Sequence, residues 1–252
     1  MNEDSPSRRL TGRVYLVTGA TGGLGQVVSR ALAAEGATVA LHGRVVRKLE
    51  ALYDAIVAAG GPEPAILPLD LQTSSDADYG RAAAAIDHDL GRLDGIIHCA
   101  GMLPRLAPIE HHSADDWTAA LRVNLSGPAM LTRLLMPALL QSPQAAVIFT
   151  LDSRGHRPAA YWGSYAAAKA GLEALVHVLA DEWQSRSTLN VYGVIPGPID
   201  TPMRKRAYPG DEPASLRSPQ SLVPLFLDLV TGARRCGGPI IDVQSDDGSI
   251  RN

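Results

Sequence analysis

Short apolar runs alternate along the chain with stretches whose apolar residues recur every three or four positions. VYLVTG at 14–19 is β-branched and ends in Thr-Gly; LGQVVSRALAAEG at 24–36 follows with helical spacing and closes on Gly36, suited to a helix C-cap. The alternation continues. TVALHG (38–43) precedes the helical RKLEALYDAIVAAGG (47–61), and AILPLD (65–70) precedes SSDADYGRAAAAIDHDLG (74–91), which opens on a good N-cap residue. LDGIIHCAG (93–101) reads as a fourth strand and turn, followed by two helical stretches over 113–141. AAVIFT (145–150), a helix near 161–186, LNVYGVIPG (189–197), a helix near 219–231 and PIIDV (239–243) complete the series. Strands that are apolar throughout and alternate with helices form a parallel sheet covered on both faces. The pattern therefore predicts an α/β fold: one doubly wound, Rossmann-type domain over residues 11–252 with seven parallel strands. Residues 1–10 read as a loose tail. The irregular stretch 197–218, rich in Pro, Arg and Lys, is long enough to serve as a substrate loop.

Composition narrows this only a little. The chain has 252 residues, 46% hydrophobic and 19% charged, enough apolar material for a sizeable core. A net charge of −3 gives no global attraction to nucleic acid or an anionic membrane. The two cysteines, Cys99 and Cys236, make no disulfide framework. MNEDSPSRRL lacks the apolar segment of a signal peptide, and no later run is apolar enough to span a bilayer, so a cytoplasmic protein is expected. The pairs His98-Cys99 and His111-His112 lack partners at ligand spacing, so no metal site is expected.

Candidate chemistry begins at TGATGGLG (18–25), between the first strand and the first helix. Glycine permits a tight turn there and close backbone approach to a pyrophosphate, and the helix beyond offers unpaired N–H groups and a positive dipole end. Thr18, Gly19, Gly23 and Gly25 fit Thr-Gly-x-x-x-Gly-x-Gly, the pattern of the short-chain dehydrogenase/reductase (SDR) superfamily, which the chain resembles. Gly19, Gly22 and Gly25 also fit the spacing of its extended, epimerase-like branch. The resemblance runs in family order from Leu10 to about residue 245, and implies that Thr21 and Leu24 also line the cofactor site.

After the second strand comes LHGR, which has no carboxylate to contact an adenosine ribose, while Arg44 offers a cation for a 2′-phosphate. NADP(H) is therefore favoured over NAD(H). Asp70, with Leu71 after it, resembles the family aspartate that contacts adenine. Cys99, Ala100 and Gly101 stand in the place of the family's Asn-Asn-Ala-Gly turn, with His98 and Cys99 departing from it. Pro196 and Gly197 resemble the Pro-Gly turn beside the nicotinamide, with Ile199 and Thr201 where the family meets the carboxamide.

Carbonyl reduction needs a proton donor as well as a hydride. Tyr165 and Lys169 are four apart, one face of a helix, and a lysine so placed is expected to lower the phenol's pKa. Both would also touch the cofactor. Ser153, twelve residues before Tyr165, resembles the family's catalytic serine; beside it, where a second serine is common, stands Asp152, which either perturbs the site's charge or points away. Asn124, followed by Ser, Gly and Pro, is poor continuous-helix material and resembles the residue whose distorted helix holds a water in a proton relay with Lys169. This set favours the classical branch.

The expected function is an NADP(H)-dependent oxidoreductase interconverting a carbonyl and a secondary alcohol, similar to 3-oxoacyl reductases, with a keto acyl thioester as one substrate implied by analogy. The resemblance also implies a homodimer or homotetramer. The rivals are a non-catalytic NADP-binding sensor on the same fold and a nucleotide-sugar epimerase, whose larger C-terminal region is absent here.

Overall fold

The computed structural model describes residues 8–234 and 238–244. The expected loose tail falls mostly outside these residues, as does Cys236. Its last part, Arg8–Leu10, is held: Leu10 is fully buried, and its N–H donates to the Glu35 carbonyl at 2.9 Å.

Seven strands are described: β1 (Val14–Thr18), β2 (Thr38–Gly43), β3 (Ala65–Pro68), β4 (Gly95–His98), β5 (Ala145–Thr150), β6 (Leu189–Ile195) and β7 (Ile240–Asp242). They form one sheet in the order β3-β2-β1-β4-β5-β6-β7, and every pairing is parallel. Pro68 cannot donate to a ladder, and it lies on an edge strand where that costs least. Between the strands run α1 (Gly23–Ala34), α2 (Val46–Ala58), α3 (Asp76–Leu90), α4 (Ala114–Leu121) and α5 (Gly127–Leu139). Then follow α6 (Ser153–His156), α7 (Gly163–Glu182), α8 (Pro202–Ala207) and α9 (Val223–Thr231). The short α6 and α8 lie in segments whose patterns showed no helical period.

Alternation along each strand divides the core. In β1, Tyr15 and Val17 face a layer formed by α1, α2 and α9 with Val28, Leu49 and Phe226; Val14 and Leu16 face α3, α5 and α7 with Ile86, Leu135 and Val176. Each such fully buried aliphatic side chain contributes about 1.5–3 kcal/mol. On α7, Leu172 and Val176 are buried in this second layer, and Leu175 and Leu179 pack against it. Ser75 and Asp78 close a reciprocal capping box at the start of α3, and Gly91 ends that helix in the left-handed conformation.

The strand order reverses direction between β1 and β4. At such a point the connections leave a crevice outside the carboxyl ends of the strands, which is where a doubly wound sheet binds ligands.

Candidate active site

A cleft of about 400 Å³ opens at that crevice. One wall is the glycine turn. Gly19 has φ +62°, and a Cβ on it would meet the Ala100 backbone at 2.7 Å; a Cβ on Gly25 would sit 2.2 Å from the Gly19 carbonyl oxygen. A Cβ on Gly23 would meet Thr201 at 2.8 Å, whereas one on Gly22 would touch only the Gly19 oxygen, at 3.1 Å. No side chain caps α1, so the first N–H groups after Gly22 face the cleft unpaired. That is a fit for a pyrophosphate: bare backbone, free donors and the positive end of a 12-residue helix. Thr21, Gly22, Leu24 and Gly25 line this wall with Gly19 and Gly23. Thr18 differs from the expectation. It is fully buried, lies outside the lining, and its hydroxyl accepts the Ala100 N–H at 3.2 Å, pinning the turn after β4 to the turn after β1.

At one end of the cleft, Arg44 is exposed and takes part in no ion pair or hydrogen bond among the described residues. Leu71 and Asp70, after the adjacent strand β3, also line the cleft; Asp70 accepts the Gln72 N–H at 3.0 Å, an Asx turn that fixes its carboxylate. His42, which the sequence did not single out, lines the floor, and its Nδ1 accepts the Gly19 N–H at 3.3 Å.

Cys99, Ala100 and Gly101 line the middle of the cleft. Burial pushes the Cys99 thiol up to about 12, so it is not a nucleophile at neutral pH. His98 turns the other way: its ring stacks on Phe149 at 4.8 Å and its Nε2 meets Thr132 Oγ1 at 3.0 Å. Burial, then the charges of His42 and Lys169, depress His98 to about 3; burial depresses His42 to about 4. Both rings are neutral in the fold. The contribution of these two rings to stability should thus be flat above about pH 7.5, where the unfolded histidines are also neutral, and fall as pH drops toward 4, by up to about 1.4 kcal/mol per pH unit for each ring. Urea midpoints between pH 7 and 4.5 test this, and His98→Asn should flatten the slope.

The chemistry sits at the far end. Tyr165 and Lys169 are each only 4% exposed and share the cleft face of α7. Lys169 Nζ donates to the Thr150 carbonyl at the end of β5, at 2.7 Å, and lies 5.9 Å from the centre of the Tyr165 ring. A Cβ on Gly155 would collide with the Lys169 backbone at 2.7 Å, so α6 packs directly on α7 here. Asp152 does not point away: its Oδ2 accepts the Tyr165 hydroxyl proton at 3.0 Å. Asp152 is the N-cap of α6, with Oδ1 on the Arg154 N–H at 2.8 Å; this cap aims the carboxylate inward and puts Ser153 in the first turn, partly exposed on the cleft wall. One expectation needs correction: Lys169 does not lower the tyrosine. Burial, then the Asp152 charge and hydrogen bond, push Tyr165 well above its ordinary value, while burial brings Lys169 down to about 8 against the pull of Asp152.

Asn124 lies outside the lining, fully buried in a π turn (Arg122–Ser126) that joins α4 to α5. Its amide donates to the Met102 and Ala120 carbonyls at 2.8 and 2.9 Å and its Oδ1 accepts the Met102 N–H at 3.1 Å. Pro128 has no N–H, so the Asn124 carbonyl is denied its α-helical donor. The helix is therefore distorted where the sequence suggested.

After β6, Pro196, Gly197 (φ +71°), Ile199 and Thr201 line the cleft, and Thr201 caps α8. The α8 segment adds Met203 and Tyr208, and Tyr208 lies 5.8 Å from Trp162, itself 5.6 Å from Tyr165. This aromatic mouth comes from segments distant in sequence, Tyr208 from the irregular stretch 197–218 and Trp162 from the start of α7.

Residues 13–212 match the family described as short chain dehydrogenase. An uncharacterized oxidoreductase of Escherichia coli K12, YciK, is 37% identical over 236 residues, 93% of each chain. Among solved structures, a short chain dehydrogenase from Escherichia coli CFT073 complexed with NADPH is 37% identical, with a TM-score of 0.89 over 95% of this chain and 100% of that one. One from Shigella flexneri complexed with NADP is 36% identical, with the same TM-score over 94% and 99%.

Proposed function

Because the chain belongs to the short chain dehydrogenase family, we propose that it is an NADP(H)-dependent oxidoreductase interconverting a carbonyl and a secondary alcohol, with Tyr165 as proton donor. The observation that carries this reading is the placement of Tyr165 and Lys169, both buried, in one cleft with the uncapped start of α1. When bound, the nicotinamide supplies hydride to the substrate carbon. The glycine turn would hold the pyrophosphate, Asp70 and Leu71 the adenine, and the small residues after β4 the ribose. Pro196, Gly197, Ile199 and Thr201 would hold the nicotinamide end. Tyr165 is a phenol at neutral pH, loaded to protonate the oxygen in the reductive direction. Ser153 offers a second hydroxyl to that oxygen. Lys169, fixed by the Thr150 carbonyl, supports proton departure and the nicotinamide ribose. Asn124 maintains the π turn from which a carbonyl holds the relay water. A homodimer or homotetramer remains part of this reading. Among the described residues no helix is long and apolar enough to cross a membrane.

A panel of ketones with NADPH tests the activity. Tight NADPH binding with no turnover on any carbonyl would favour the sensor. The cofactor preference rests on Arg44. Arg44→Glu should weaken NADPH binding about tenfold to hundredfold and leave NADH nearly unchanged, as the loss of a charge-assisted phosphate contact requires. Fluorescence titration of both cofactors checks it.

A further inference from the structure

The reaction end of the cleft holds a carboxylate where a ketone reductase gains nothing from one. Asp152 is fixed at both oxygens, Oδ1 by the Arg154 N–H and Oδ2 by the Tyr165 hydroxyl. No lysine or arginine among the described residues lies within ion-pair distance of it. The nearby cations are engaged elsewhere: Lys169 with the Thr150 carbonyl, and Arg154 with the Tyr208 hydroxyl at 2.6 Å and the Trp162 ring at 5.1 Å.

A carboxylate accepts hydrogen bonds and cannot donate them. A ketone oxygen is also purely an acceptor, and it gains negative charge as hydride arrives. It must compete with Asp152 for the one Tyr165 proton and develop its charge beside an anion. A protonated imine inverts each term: its N–H donates to Asp152 and its positive charge is balanced on binding. Resting on the hydride-transfer reading above, we propose that Asp152 directs this site toward carbon–nitrogen double bonds, bound as iminium ions, in preference to ketones. The step balances without a further reactant. Hydride from the reduced nicotinamide dinucleotide forms a C–H bond at the imine carbon. The C=N π pair moves to nitrogen, giving a neutral amine, and the dinucleotide is left oxidised. No proton is drawn from Tyr165 when the imine enters protonated.

The test uses a matched pair of flat bicyclic probes at neutral pH, 3,4-dihydroisoquinoline and 1-tetralone, with NADPH. The wild type should reduce the imine at least tenfold faster than the ketone, and Asp152→Ser should lose at least tenfold on the imine while gaining on the ketone. A ketone rate equal to or above the imine rate, with a ratio unmoved by Asp152→Ser, would overturn the proposal while leaving the oxidoreductase reading intact. If neither probe is turned over, the hydride-transfer reading is what fails, and binding then decides the role of Asp152. By calorimetry with NADP⁺, 1,2,3,4-tetrahydroisoquinoline should bind at least tenfold more tightly than 1-tetralol, a difference abolished in Asp152→Ser. Equal binding of the two would refute it.

Discussion

Replacing Tyr165 by phenylalanine should lower ketone reduction by about 10²- to 10⁴-fold while leaving NADPH affinity within a few-fold of wild type. The ring is retained, so its packing against Trp162 and within the cluster of Leu103 and Ala166 persists. What disappears is one hydroxyl, whose proton the site keeps in place by burial and by the Asp152 carboxylate. Losing that hydroxyl removes the Asp152 partner as well, at about 1 kcal/mol of stability. Rate and stability effects are thus of very different size, and a thermal melt beside the kinetics separates them. An unchanged turnover in Tyr165→Phe would overturn the proton-donor assignment. The loss on a protonated imine should be smaller, since that substrate brings its own proton.

Tyr165, Lys169 and the glycine turn were legible because each depends on local spacing: a helical turn in the first case, a strand–turn–helix in the second. The sheet was legible for the same reason, since fully buried parallel strands are uniformly apolar and every crossover needs a helix. The partner of the Tyr165 hydroxyl was not. Asp152 and Ser153 are adjacent, and which one enters the cleft is decided by the N-cap geometry of a four-residue helix that has no periodic signature. The pKa direction of Tyr165 followed first from its burial and then from the same contact, which together reversed the sign expected from Lys169 alone. Thr18 and His98 show the converse limit. Both stand at motif positions, yet the Thr18 hydroxyl and His98 Nε2 meet protein partners, Ala100 and Thr132, because the ends of β1 and β4 are buried.

Asp94→Ala should damage stability strongly, costing about 2–4 kcal/mol and lowering Tm by roughly 4–8 °C. Asp94 is fully buried just before β4 and ties three strand starts together. Its Oδ2 accepts the Val14 N–H at 2.9 Å, its Oδ1 accepts the Ser142 hydroxyl at 2.7 Å, and Arg92 binds both oxygens at 2.9 and 2.7 Å. Burial alone would raise this carboxyl, but Arg92, Ser142 and the Val14 N–H outweigh it and hold it below the usual carboxylate range. The alanine variant leaves the Val14 N–H and Ser142 hydroxyl buried without their acceptor, whereas Arg92, half exposed, is rehydrated, so the cost falls short of that for a fully buried pair. The sign with pH follows from the depressed carboxyl. Its contribution is whole above the unfolded carboxylate's pKa and is lost as pH falls through the folded value, so wild type and variant should converge in strong acid. Asp94 lies at the amino end of β4, about 13 Å of strand from the cleft at the carboxyl end. Turnover per folded molecule should therefore match wild type even as Tm falls, and a variant that lost both together would show that the strand starts and the cleft do not behave independently.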